Sequence, residues 1–216
     1  ILLWTALAST GASNLPPPYH LTCEYLTNPL GIDERSPRLS WWLPTAVSKQ
    51  TGYRILVAND IGCLQEGRAD CWDSGKVETD QSIHVVYSGN DLRSGTRYFW
   101  KVRIWDEKGD PTEYSEPAFW QMGLLNPSDW KAKWIGLPGK LPGNTSLPDG
   151  EVLFAEPSPS PVLRKTFHLP DSPAHATVYV TALGLYELRI NGRRVGENIL
   201  APEWTDYHQR IQYQAY

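Results

Sequence analysis

The chain has 216 residues, 41% of them hydrophobic and only 20% charged, which is enough to bury one or two cores. Its formal net charge is −4 and no run of Lys and Arg exceeds two, so the basic stripe that nucleic acid requires is absent. No segment approaches the ~20 apolar residues of a membrane-crossing helix. The 18 Pro and 17 Gly punctuate short apolar runs, the composition of an all-β protein. Ten Trp and eleven Tyr stand against one Met and four Phe, an aromatic balance that suits both sandwich cores and sugar-stacking surfaces.

Residues 1–18 begin with ILLWTALASTGAS, which reads as the hydrophobic region of a truncated signal peptide, with small residues suited to cleavage after Ala8 or Ala12. The plainer alternative is a disordered leader. A signal peptide predicts a secreted, extracellular protein. The single N-glycosylation sequon, Asn144-Thr145-Ser146, agrees with that compartment.

After Pro18 the run His20–Leu26 predicts a first strand, followed by a turn at Asn28-Pro29 and Gly31. A second strand over 38–43 places Leu39, Trp41 and Leu43 on one face, and a third over 53–59 does the same for Tyr53, Ile55 and Val57. In CWDSGKV, Trp72 is expected to cover an edge of the core. Residues 92–105 set Tyr98, Trp100, Val102 and Ile104 against Phe99, Lys101, Arg103 and Trp105, and Leu92 lies six residues before Tyr98, the arrangement of a tyrosine corner. A turn at 106–109 and a strand over 116–123 complete seven short segments, which predict a fibronectin type III-like sandwich over 19–125. Cys63 and Cys71 bracket the short connection LQEGRAD and could close a disulfide in an exported protein or remain two unpaired thiols; Cys23 reads as a small core residue.

Asn126-Pro127 ends this domain, and Trp130, Ala132 and Trp134 alternate into a new strand. Residues 137–161 carry six prolines and predict a long surface loop, either a solvated insertion bearing a glycan on Asn144 or a site loop. Strands are then expected at 162–169, 176–182, 186–190, 193–197 and 211–216. Between the fourth and fifth of the whole set, Asn191-Gly192 supplies the two positive φ angles of a type I′ hairpin turn. Six strands against the eight of a jelly roll predict an incomplete jelly-roll-like sandwich over 128–216.

Chemistry is sparse. Asp33 with Glu34 and Asp106 with Glu107 sit in turns, where acids commonly serve local hydrogen bonding. Glu203 and Asp206 flank Trp204 and precede Tyr207, so Trp204, Asp206 and Tyr207 are candidate carbohydrate contacts; the rival is a structural corner whose Trp packs inward and whose Asp caps a turn. The five histidines, His20, His84, His168, His175 and His208, have no zinc-type spacing, and no phosphate loop or nucleophile elbow occurs, so neither metal nor cofactor is expected.

Three stretches carry a family resemblance: CEYLTNPLGIDERSPRLSWWL, DWKAKWIG, and GLYELRINGRRVGENILAPEWTDYHQRIQY. In this order they resemble the N-terminal part of the α-L-rhamnosidases of glycoside hydrolase family 78, with Glu203 standing where that pattern usually has Gly. The resemblance implies a secreted parent enzyme that removes terminal α-L-rhamnose from plant glycosides or polysaccharides by inversion. It implies a C-terminal (α/α)6 barrel as the catalytic partner, rhamnose-containing glycosides as substrates, and no catalytic residue within this chain. The reading from a different class is a stand-alone carbohydrate-binding or interaction sandwich without catalysis.

Overall fold

The computed structural model describes residues 15–136 and 160–216. The expected leader and the glycosylation loop around Asn144 lie outside these residues. The described chain is all-β, with two short 3-10 turns at Ile61–Cys63 and Pro127–Asp129.

Eight strands build the first sandwich: β1 (Tyr19–Cys23), β2 (Arg38–Trp42), β3 (Gly52–Ala58), β4 (Trp72–Asp73), β5 (Val77–Glu78), β6 (Val85–Val86), β7 (Arg97–Trp105) and β8 (Ala118–Gln121). One sheet has the order β1-β2-β6; the other runs β4-β3-β7-β8, with β5 also paired to β3. The longest ladder joins β3 to β7 from Gly52↔Trp105 to Ala58↔Phe99, antiparallel and in continuous register. Burial alternates along all nine residues of β7, so Tyr98, Trp100, Val102 and Ile104 enter the core while their neighbours face outward. They meet Leu39, Trp41 and Trp120 from the surrounding strands, all at 1% exposure or less.

The tyrosine corner forms as the spacing predicts. Tyr98 Oη accepts a hydrogen bond from the Arg93 amide at 2.9 Å, tying the entry of β7 to the preceding turn. Trp72 packs against the rim of the core and meets Tyr87 edge-on at 5.3 Å. Turn chemistry also accounts for the acidic pair at 106–107: the buried Asp106 carboxylate accepts from the amides of Lys108 and Asp110, a turn-closing arrangement rather than a reactive one.

Cys63 and Cys71 correct the disulfide expectation, for both are free thiols, as is Cys23. Alternation along β3 explains it. Cys71 joins the main core with Ile55 and Val57, whereas Cys63 packs with Leu56, Ala58 and Leu64 in a smaller cluster on the opposite face of the sheet. Burial pushes the Cys71 thiol up to about 11, helped by neighbouring Asp70, and raises Cys23 further. With the thiolate suppressed at both, Ellman's reagent at pH 8 is expected to modify only Cys63 in the folded chain and all three thiols after unfolding. Fewer than three in unfolded, unreduced protein would restore the bridge.

The later described residues carry only two-residue strands: β9 (Tyr179–Val180), β10 (Arg189–Ile190), β11 (Arg193–Arg194) and β12 (Gln214–Ala215). The hairpin of β10 and β11 turns at Asn191 and Gly192, with φ of 51° and 79°, the two positive values that Asn-Gly supplies cheaply. By contrast the strands expected at 130–134 and 162–169 do not form. Beyond Trp130 their alternation finds little to pack on: Trp134, Ile135, Val162 and Phe167 are all more than half exposed, and no described segment pairs with them.

Thr177–Tyr216 groups with the sandwich residues up to Trp130 in one compact unit. Tyr213 anchors these later residues. Its hydroxyl accepts from the Leu124 amide at 2.8 Å, and its ring meets Trp130 and Tyr179, each at 5.9 Å. Gln121, at the end of β8, adds a 2.8 Å bond to Thr177 Oγ1.

Candidate functional site

The segment Leu200–Arg210 is built from two consecutive turns. The Glu203 amide donates to Leu200 O at 2.9 Å across a cis Ala201–Pro202 peptide, whose two residues are buried, giving a type VI turn. The second turn is centred on Asp206, whose carbonyl accepts from the amides of Gln209 and Arg210, while its Oδ1 accepts from the His208 amide at 3.0 Å. Thr205 Oγ1 closes the loop by donating to Arg210 O at 2.6 Å. Asp206 therefore acts as the turn cap that the structural reading expects.

Trp204 does not pack inward. It is 81% exposed and lies beside Tyr207, with ring centroids 6.1 Å apart and planes 26° from parallel. Tyr207 is anchored, because its hydroxyl accepts from the Gly184 amide at 2.7 Å and fixes the turn against the loop that leads to β10. The Tyr186 amide, bonded to Ala201 O at 2.8 Å, makes the same connection one turn earlier. The three candidate residues are thus brought together: an offset pair of aromatic rings with a carboxylate at the rim, a geometry that can stack on the C–H face of a sugar ring and accept from its hydroxyls.

Glu203 sits between the turns at φ +86°, in the left-handed region that favours glycine. A side chain there costs about 1 kcal/mol or more. Glu203→Gly is expected to raise stability by roughly 1 kcal/mol in urea unfolding, and no gain would show that the turn is held some other way.

A second exposed aromatic group, comprising Tyr19, Tyr25 and Trp42 on the outer face of the β1-β2-β6 sheet, escapes the sequence. The available signal was the alternation of β2, since turning Leu39 and Trp41 inward turns Trp42 out.

Known proteins resolve the origin of the chain. The family model described as Rha78A-like, N-terminal immunoglobulin domain matches residues 18–126, and that for the alpha-L-rhamnosidase N-terminal domain matches 171–216. An alpha-L-rhamnosidase of Streptomyces avermitilis is 38% identical over 82% of this chain, and one of Formosa agariphila is 36% identical over 98%. The solved alpha-L-rhamnosidase of Dictyoglumus thermophilum superposes with a TM-score of 0.78 over 95% of the chain, at 35% identity. The chain spans 18%, 22% and 23% of the lengths of these three proteins. Matched by both models in sequence order and by relatives across nearly all its length, the chain belongs to the α-L-rhamnosidases of glycoside hydrolase family 78, whose N-terminal region it shares.

Proposed function

We propose that this chain is the non-catalytic N-terminal region of a secreted α-L-rhamnosidase that hydrolyses terminal α-L-rhamnose from plant glycosides or polysaccharides with inversion. The observation that carries the reading is the collinear match of nearly the whole chain to about a fifth of each relative. On this reading the two carboxyl groups that inversion needs belong to another domain, and these residues supply scaffold and substrate-side walls. The test is hydrolysis of 4-nitrophenyl α-L-rhamnopyranoside by the product of the complete gene, with the anomer first released followed by NMR. Release of the β-anomer is expected, with no turnover by residues 1–216 alone. Retention of configuration, or activity in the short chain, would overturn it.

A second reading, a sandwich that binds carbohydrate without catalysis, is favoured by one observation: the exposed Trp204 lies beside a half-buried Tyr207, their rings 26° from parallel. In that case Trp204→Ala abolishes sugar binding and leaves the melting temperature unchanged.

A further inference from the structure

We infer that the outer face of the β1-β2-β6 sheet is a second saccharide-binding site, separate from Trp204, that takes a neutral pyranose. An open groove of about 520 Å³ runs across this face, lined by Tyr19, His20, Tyr25, Trp42, Ile83 and His84 among others. That volume lies within the range of small-ligand sites. Trp42, 56% exposed, is its platform: Tyr19 stands edge-on to it at 5.7 Å and His20 lies 4.2 Å from it at 44°. On the opposite side Tyr25 and His84 pair edge-on at 4.9 Å.

The backbone is bent to build this face. The β1–β2 register shifts between Tyr19 and Thr22, a bulge of the kind that re-aims a side chain. His20, Tyr25 and His84 adopt φ of 51°, 67° and 56°, three of the eight non-glycine residues in the left-handed region among the described residues. Conformations of this cost gather where a side chain must be presented to a ligand.

Chemistry selects the ligand. The hydroxyls of Tyr19 and Tyr25 and both imidazoles have no hydrogen-bond partner among the described residues, so they are free to bond hydroxyl groups laid over the indole. The nearest formal charges cancel: Arg38 grips Glu24 through both carboxylate oxygens, with contacts of 2.6 to 3.2 Å, and holds the Glu24 carboxyl below its ordinary range. Arg38 also lies over the Tyr25 ring at 5.1 Å, so its charge is held between that ring and Glu24. A face of exposed aromatic rings and hydroxyls beside a closed Arg–Glu pair fits a neutral sugar better than an anionic polymer.

The inference does not rest on the parent activity proposed above. The test is calorimetric titration of the 216-residue chain with the methyl pyranosides of L-rhamnose, D-galactose, D-glucose and L-arabinose, with D-galacturonate as the charged counterpart. Binding of at least one neutral glycoside with Kd on the order of 1 mM is expected. Trp42→Ala, and independently Tyr25→Ala, should each weaken it by about tenfold or more while the melting temperature holds, as both side chains are exposed. Trp204→Ala should leave it unchanged. The inference fails if no neutral glycoside binds, if galacturonate is preferred, if only Trp204→Ala abolishes binding, or if Trp42 proves to be covered by a second copy of the chain.

Discussion

Trp120→Ala is expected to cost the sandwich about 3–5 kcal/mol, the largest loss of any single truncation here. The indole is fully buried on β8, stacked on Tyr98 at 5.4 Å and 23° and met edge-on by Tyr87 at 5.8 Å. Three separate contributions vanish together. Burying a Trp removes roughly 150–250 Å² from water, which at ~25 cal/mol per Å² is worth about 4–6 kcal/mol as an upper bound. The two aromatic contacts add about 0.5–1.5 kcal/mol each, and the rings left behind line a cavity they cannot collapse, because Tyr98 is held by its corner bond to Arg93 and Tyr87 by a 2.8 Å bond to Asn90 O. The indole N–H meets only Met122 Sδ, so little is lost there. Urea unfolding followed by circular dichroism checks the figure. A loss below about 1 kcal/mol would mean that the sandwich core relaxes around the hole.

The elements legible in the sequence are those whose signal is local. Asn191-Gly192 announces its hairpin because the turn itself demands positive φ, and Tyr98 announces its corner because both partners lie within six residues. Alternation along β7 likewise sorts four residues inward without error. Alternation, however, reports a face and not a partner. Trp130, Ala132 and Trp134 alternate as well as Tyr98 and Trp100 do, yet β7 has β3 and β8 beside it while residues 131–136 have no paired strand. The cysteine spacing failed for a related reason. Seven residues separate Cys63 from Cys71, but the opposite faces of one sheet separate their side chains.

The candidate sites divide in the same way. That Asp206 caps a turn follows from its immediate neighbours, whereas the exposure of Trp204 depends on Tyr207 being pinned by Gly184, 23 residues earlier. The groove at Trp42 depends on a bulge in one strand and on left-handed residues in three separate segments, none of which periodicity encodes. Glu203 is the instructive exception, because a departure from the family pattern at one residue marked a backbone position that geometry confirms as suited to glycine.

Gln50 is a buried amide at the centre of the sandwich, and Gln50→Ala is expected to cost about 2–4 kcal/mol. Its side chain is 1% exposed; Oε1 accepts from Trp41 Nε1 at 3.0 Å, and Nε2 donates to the carbonyls of Gln81 at 2.8 Å and Thr79 at 3.3 Å. It therefore ties the core indole of β2 to the connection between β5 and β6. Truncation leaves the Trp41 N–H without a partner in a site where Trp41 is itself 1% exposed and Tyr53 blocks one side at 5.3 Å. A buried donor without a partner costs more than the bond contributed, so the loss should be partly recoverable by removing the donor as well. In the cycle of Gln50→Ala with Trp41→Phe, the double variant is expected to be more stable than the sum of the single losses predicts, by about 1–2 kcal/mol. Additive losses would show instead that water enters the space left by the amide and satisfies the indole, which would make the bond to the Gln81 carbonyl the part of the network that holds the sheets together.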